Sequence, residues 1–199
     1  MEAPVTGYLE GATIERVAGI LLSGGIAVLP TDTIYGLHCL AARDDTVAAI
    51  RALKGRTGAG GFVVLASDLA MADFVIGEWP GDSRAFLERV WPAPLTAILP
   101  ASSTVSKAIA PRGAVALRVP ACDNLRAVVH TVGGPIVSTS VNITGKEPMT
   151  RIGEIRRAFP GLGAYIARRG RSRVLSSTVV NFIAGSPYLV RAGRYRWSD

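Results

Sequence analysis

Four stretches of this 199-residue chain carry side chains that could do chemistry. In Pro30-Thr31-Asp32-Thr33-Ile34-Tyr35-Gly36, two hydroxyls and a carboxylate follow an apolar run. Such a set can orient a polar ligand at a strand end, or simply form an Asx-type turn. In Lys54-Gly55-Arg56 followed by Thr57-Gly58-Ala59-Gly60-Gly61, two cations project from a helix end into a loop of small residues. That suits a phosphate grip, with lysine as a point charge and arginine as a fork. It equally suits cations placed at a helix C-terminus. In Ser138-Thr139-Ser140-Val141-Asn142-Ile143-Thr144-Gly145, five polar side chains follow an apolar pair. This dense set of donors and acceptors fits a hydroxyl-bearing, phosphorylated ligand. Arg118, within the β-rich run Ala114–Pro120, needs a partner: a bound carboxylate or phosphate, or a structural ion pair.

The elements that must position these groups follow from periodicity and breakers. Thr13–Ser23 reads as a helix and Gly25–Pro30 as a short buried strand, with Thr31–Gly36 turn-like and Leu37–Ala42 a second strand. Asp44-Asp45 can cap a helix over Thr46–Lys54, and Gly55 can end it. Phe62–Ser67 reads as a strand, and Asp68–Gly77 and Asp82–Val90 as helices. Leu95–Leu99, Val115–Val119 and Ile136–Ser140 are short strands, with a helix over Leu125–Thr131. Arg151–Phe159 has helical spacing, and Tyr165–Ala167, Thr178–Ile183 and Tyr188–Val190 close the chain as strands. Alternation through the middle and a strand-rich end predict an α/β fold with a mixed sheet.

Composition narrows the classes. Hydrophobic residues make up 49% and charged residues 19%, enough for a core in one domain over 1–199. No apolar run approaches the ~18–20 residues of a membrane span. The start MEAPVTGYLEGATIERV, with acids and no apolar core, does not read as a secretory signal. Cys39 and Cys122 are too few for a disulfide framework or a CxxC metal site, so a reducing, cytoplasmic setting is the default expectation. GxxxxGK[ST], GxGxxG after a strand, HExxH and GxSxG are all absent from the sequence. His38 and His130 read as packed or surface histidines rather than bases. Residues 151–199 hold 10 arginines against 2 acids, whereas residues 1–150 balance 12 bases with 13 acids. The basic segment suits an anionic partner, nucleotide phosphate or RNA, or is an arginine-biased surface.

Taken in order, PTDTIYGL, KGR, WPAPLT, ALRVP, STSVNITG, SSTVV and a terminal VRAG resemble the YrdC-like family of L-threonylcarbamoyladenylate synthases, from about Gly25 to Gly193. Thr57 stands where the family usually has proline, and Ser176 where longer members have glutamate. The strand FVVLAS lacks their histidine, and the length matches the short bacterial form. The resemblance implies a twisted α/β sheet around a positively lined cavity. It implies synthesis of threonylcarbamoyl-AMP and pyrophosphate from L-threonine, bicarbonate and ATP with Mg²⁺. The product would feed N6-threonylcarbamoyladenosine formation at tRNA position 37 through downstream transfer proteins. By resemblance, Lys54 and Arg56 grip the triphosphate and carry catalysis, while Ser140, Asn142 and Arg191 hold the nucleotide. Thr31, Arg118, Ser138 and Ser177 hold threonine, with Tyr35 walling its pocket. No metal ligand is expected from the chain. The competing reading is an RNA-binding module without synthase activity, contacting tRNA through the arginines of residues 151–199.

Overall fold

Successive residues of the central strands bury on opposite faces of one sheet, so the sheet must be covered on both sides. Ala27 and Leu29 pack with Leu65 and Ile136 in one core, whereas Val28 packs with Val64 and Val137 in the other. The structure is a computed structural model that describes residues 3–58, 60–170, 175–184 and 186–198. Its elements are β1 (Val5–Tyr8), α1 (Ala12–Leu22), β2 (Ala27–Leu29), β3 (Gly36–Leu40), α2 (Asp44–Leu53), β4 (Val63–Leu65), α3 (Leu69–Val75), α4 (Ser83–Val90), β5 (Leu95–Pro100), β6 (Ala114–Arg118), α5 (Asp123–Val132), β7 (Ile136–Ser140), α6 (Ile152–Ala158), β8 (Ala164–Ala167), β9 (Thr178–Asn181) and β10 (Tyr188–Arg191). Among the described residues they form a ten-stranded sheet in the order β1-β8-β2-β3-β7-β4-β6-β5-β9-β10. Four neighbouring pairs are parallel (β1/β8, β2/β8, β4/β6, β5/β9) and the other five antiparallel, which makes the sheet mixed as the sequence predicts.

Helices α1 and α5 cover one face through Val17, Leu21, Leu125 and Val129. Helices α2, α3, α4 and α6 cover the other through Ile50, Ala72, Leu87 and Ile155. Each fully buried leucine or isoleucine contributes on the order of 1.5–3 kcal/mol relative to exposure. Local chemistry sets the helix ends. Asp68 accepts a bond from the Met71 N–H at 2.8 Å, so it caps α3 rather than entering it. The helix then ends at Val75, short of the expected Gly77. Asp44 and Asp45 lie inside the first turn of α2, with Arg43 as its cap, where their charges favour the helix N-terminus. Gly55, at φ 59°, turns the chain out of α2, as its position in the sequence predicts. β1 is not among the sequence expectations: only Val5 of its four residues is buried, so no alternation marks it.

The register brings the polar segments together. Gly36 at the start of β3 pairs with Ser140 at the end of β7, and Ser138 lies opposite both His38 and Val63. Arg118, at the end of β6, lies opposite Leu65 of β4.

Candidate active site

The residue that caps the C-terminus of helix α2, Lys54, is buried beneath the cavity. Lys54 is only 4% exposed, and its Nζ donates to the Ser140 carbonyl (2.6 Å), the Asn142 carbonyl (2.9 Å) and Asn142 Oδ1 (2.7 Å). An ammonium has three N–H donors, and all three are used. The sequence places Lys54 beside Arg56 as a loop cation; the structure corrects this, making it the pin around which β7 and its following turn are wrapped. Ser140 Oγ donates to Asn142 Oδ1 at 2.6 Å, and Asn142 Nδ2 donates to the Ile143 and Lys146 carbonyls at 3.1 and 2.6 Å. The Thr144 N–H returns to the Lys54 carbonyl at 2.9 Å. Burial first, and repulsion from Arg56 second, pull the Lys54 pKa down to about 8. Arg56 does project from the turn, with its guanidinium 5.0 Å from the centre of the Phe62 ring.

The loop after β2 forms a second wall. Thr31 Oγ1 donates to the Ile34 carbonyl at 2.7 Å and accepts from the Thr33 N–H at 3.0 Å, so part of its bonding capacity shapes its own turn. Arg118 Nη1 reaches Thr33 Oγ1 at 3.3 Å and Asp32 Oδ1 at 3.5 Å. Asp32 Oδ2 in turn accepts from the Ala121 N–H at 3.1 Å. Both alternatives for Arg118 therefore have substance: it has a structural acid partner, and it also faces the cavity. Both contacts fall on Nη1, and Nε has no partner among the described residues. Tyr35 Oη accepts from the Arg168 N–H at 2.7 Å, and burial raises its phenol pKa, so the ring serves as a neutral wall.

The C-terminal strands supply the third side. Ser177 Oγ bonds Thr96 Oγ1 at 2.8 Å, and the Ser177 carbonyl accepts from Arg191 Nη2 at 2.9 Å. The WPAPLT stretch holds this corner: Trp91 Nε1 donates to the Leu95 carbonyl at 2.8 Å, and the Thr178 N–H to the Pro94 carbonyl at 3.0 Å. Gly193 passes so close that an added Cβ would fall 2.5 Å from the Ser177 carbonyl oxygen, which explains the glycine of VRAG.

These three sides enclose one cavity of about 460 Å³. Lys54, Arg56, Ser140, Asn142 and Arg191 line it, as do Thr31, Tyr35, Arg118, Ser138 and Ser177. Sequence reasoning misses Phe62, Val63 and Pro148 of the lining. The signal for Phe62 was present: an aromatic directly after a cation-bearing glycine loop. Val63 occupies the strand that lacks the histidine of longer members, so this wall is apolar. Asp32 stays behind the wall, holding Arg118. His38 is fully buried, and burial followed by the Arg118 charge pushes its pKa down to about 3, so it is a neutral core residue. Among the described residues no cluster of three His, Cys, Asp or Glu could hold a metal ion. No helix among them is long and apolar enough to cross a membrane.

The basic segment is partly spoken for. Arg168 donates to the Thr31 and Thr33 carbonyls at 2.6 and 3.2 Å. Arg169 pairs with Glu10 at 2.8 Å and covers the Tyr8 ring at 4.3 Å. Arg171 and Arg173 lie outside the described residues.

The Sua5_yciO_yrdC family model, described as "Telomere recombination", matches residues 19–193. A threonylcarbamoyl-AMP synthase of Halorhodospira halophila is 31% identical over 147 residues, covering 73% of this chain and 77% of the relative. The structure of Pyrococcus abyssi Sua5 complexed with L-threonine superposes with a TM-score of 0.87 at 27% identity, over 95% of this chain. This chain spans 57% of that protein's length. Escherichia coli YciO has the same fold, with a TM-score of 0.84 at 22% identity, covering 97% of this chain and 96% of its own.

Proposed function

Because the chain belongs to the Sua5/YciO/YrdC family, we propose that its cavity joins L-threonine, bicarbonate or CO₂, and ATP into threonylcarbamoyl-AMP and pyrophosphate. One observation carries the reading: the same cavity holds a cationic side suited to phosphates, Lys54 and Arg56, and a hydroxyl-and-arginine side suited to an amino acid, Thr31, Arg118 and Ser177. Threonine's free amine adds to CO₂ and gives up its proton to water, forming a carbamate without an enzymatic base, which agrees with a buried, neutral His38. A carbamate oxygen then attacks the ATP α-phosphorus, the bond to the β-phosphate oxygen breaks, and pyrophosphate leaves. The protein's part is to hold anions against one another; positioning of this kind supplies up to roughly 7–11 kcal/mol. Arg56, the Lys54 charge and Arg191 stabilise the phosphates, and Arg118 takes the amino-acid carboxylate. Mg²⁺ would enter on the triphosphate and neutralise charge there, because the described residues offer it no carboxylate cluster. The product would pass to tRNA threonylcarbamoyl-transfer proteins in the cytoplasm.

The test is pyrophosphate release from ATP that depends on both threonine and bicarbonate. Release that ignores either substrate, or none at all, would favour the RNA-binding alternative. That alternative draws on the arginines of residues 151–199; among the described residues, Arg151, Arg156, Arg157, Arg169, Arg194 and Arg196 are exposed outside the cavity.

Two further outcomes follow from the geometry. Lys54 carries its charge below a pKa of about 8 and loses it above. The kcat/KM for ATP, which reports the cavity before ATP binds, should therefore fall as pH rises through about 8; a kcat/KM profile flat well above that pH would remove the Lys54 charge from the account. Threonine should be preferred to serine only modestly, since one methyl is worth ~1–3 kcal/mol and the hydroxyls of Thr31, Ser138 and Ser177 serve both. Adduct formation with the two amino acids measures this, and equal rates would rule out a methyl pocket.

A further inference from the structure

Two arginines that do not line the cavity each clamp the backbone of one loop that does. Arg51, in the last turn of α2, donates from Nη1 to the Gly58 carbonyl (2.8 Å). Its Nη2 donates to the Gly60 carbonyl (3.2 Å) and the Ala108 carbonyl (3.3 Å). The Arg51 guanidinium also lies 5.0 Å from the centre of the Phe62 ring, the ring that Arg56 faces at the same distance. Arg168, directly after β8, donates from Nη2 to the Thr31 and Thr33 carbonyls at 2.6 and 3.2 Å. It lies 5.7 Å from the Tyr35 ring centre, and its backbone N–H holds Tyr35 Oη at 2.7 Å.

Both side chains are half-buried, where a charge-assisted bond to a carbonyl is stronger than in open water. A guanidinium bridging several carbonyls fixes their relative orientation, because no one peptide can rotate without breaking a bond to a charge. The residues so fixed are those that face ligand: Arg56 lies between Arg51 and the carbonyls it holds, and Thr31 and Tyr35 belong to the loop under Arg168.

We propose that Arg51 and Arg168 are positioning residues, one for each half of the cavity: Arg51 sets the phosphate-side loop that aims Arg56, and Arg168 sets the amino-acid-side loop Thr31–Tyr35. The proposal rests on the reading of this cavity as a joint site for ATP and L-threonine. Each arginine then acts on one ligand and leaves the other alone, which a general loosening of the fold would not do.

The test is calorimetric titration of ATP and, separately, L-threonine into the full chain and its variants, with thermal melts alongside. Arg51→Met, which keeps the apolar stem, should weaken ATP binding about tenfold or more and leave threonine binding within twofold. Arg168→Met should do the reverse. Arg168→Lys should recover most of the threonine affinity, since an ammonium can reach both carbonyls. Arg51→Lys keeps the charge but cannot span three carbonyls, so its ATP affinity should stay below that of the parent. Parent-like ATP binding in Arg51→Lys would reduce Arg51 to a charge and overturn its half of the proposal. Equal loss of both ligands in the Met variants, or loss of neither, would overturn the whole. If a Met variant does not fold, Arg51→Lys still tests the phosphate half, by weakened ATP binding with parent-like threonine binding, and Arg168→Gln, too short to hold both carbonyls, tests the other half by weakened threonine binding with parent-like ATP binding. A parent that binds neither ligand would sink the functional reading itself, and this proposal with it. A parent that binds both without the crossed pattern would sink the proposal alone.

Discussion

Lys54→Ala should lower threonylcarbamoyl-AMP formation about a hundredfold to a thousandfold and should also lower the melting temperature. The rate effect follows from losing a fixed cation beside the developing phosphate charge, worth about 2.7–4 kcal/mol by analogy with loss of an oxyanion donor. The stability effect follows from the three oxygens that Lys54 holds, Ser140 O, Asn142 O and Asn142 Oδ1. Ser140 O keeps the Asn142 N–H and Asn142 Oδ1 keeps Ser140 Oγ, so the cost falls mainly on Asn142 O, and one buried acceptor left unsatisfied costs about 1–3 kcal/mol. Arg56→Ala makes the contrast: a comparable rate loss with little change in melting, because its guanidinium reaches over Phe62 without bridging strands. Rates and thermal melts on both variants decide this. A folded Lys54→Ala protein with near-parental rate would show that Lys54 only organises β7, and the phosphate assignment would have to move to Arg56 and Arg191.

Arg118→Met should cost about 3–5 kcal/mol of stability and abolish measurable threonine binding. Arg118 and Asp32 are a buried pair, with side chains only 4% and 6% exposed, and removing the guanidinium leaves a buried carboxylate without its counter-charge. Adding Asp32→Asn to Arg118→Met should restore much of the stability by removing that charge. It should restore none of the threonine affinity, because the ligand's own carboxylate still lacks its fork. Denaturant melts give the first comparison and calorimetry the second. Threonine binding at parental affinity in the double variant would make Arg118 purely structural.

The sequence was most informative where chemistry is local. Hydroxyls after a strand, cations after a helix and a lone arginine in an apolar run all converge on one cavity, and the motif order that resembles the family runs through it. Less legible was anything decided by distant contact. Lys54 and Arg56 look alike in KGR, yet one is a buried strand pin and the other a reaching cation, because the partners of Lys54 come from residues 140 and 142. Arg168 reads as one member of a basic run, and only the return of β8 beside β2 places it over the Thr31 loop. β1 was illegible for a similar reason: one buried residue in four carries no period, and its existence depends on β8.

That dependence also shapes how the molecule can be made. Val5 pairs with Ala164, and β2 has β8 as its second neighbour, so two early strands of this sheet wait for one made much later. Until β8 emerges, β1 has no partner and β2 shows an open edge of the buried residues Ala27, Val28 and Leu29. Such long-range pairings make for slow closure and a sticky nascent chain. That edge stays open to aggregation until β8 is made, and until then the cavity's Thr31 loop has not met the arginine that clamps it.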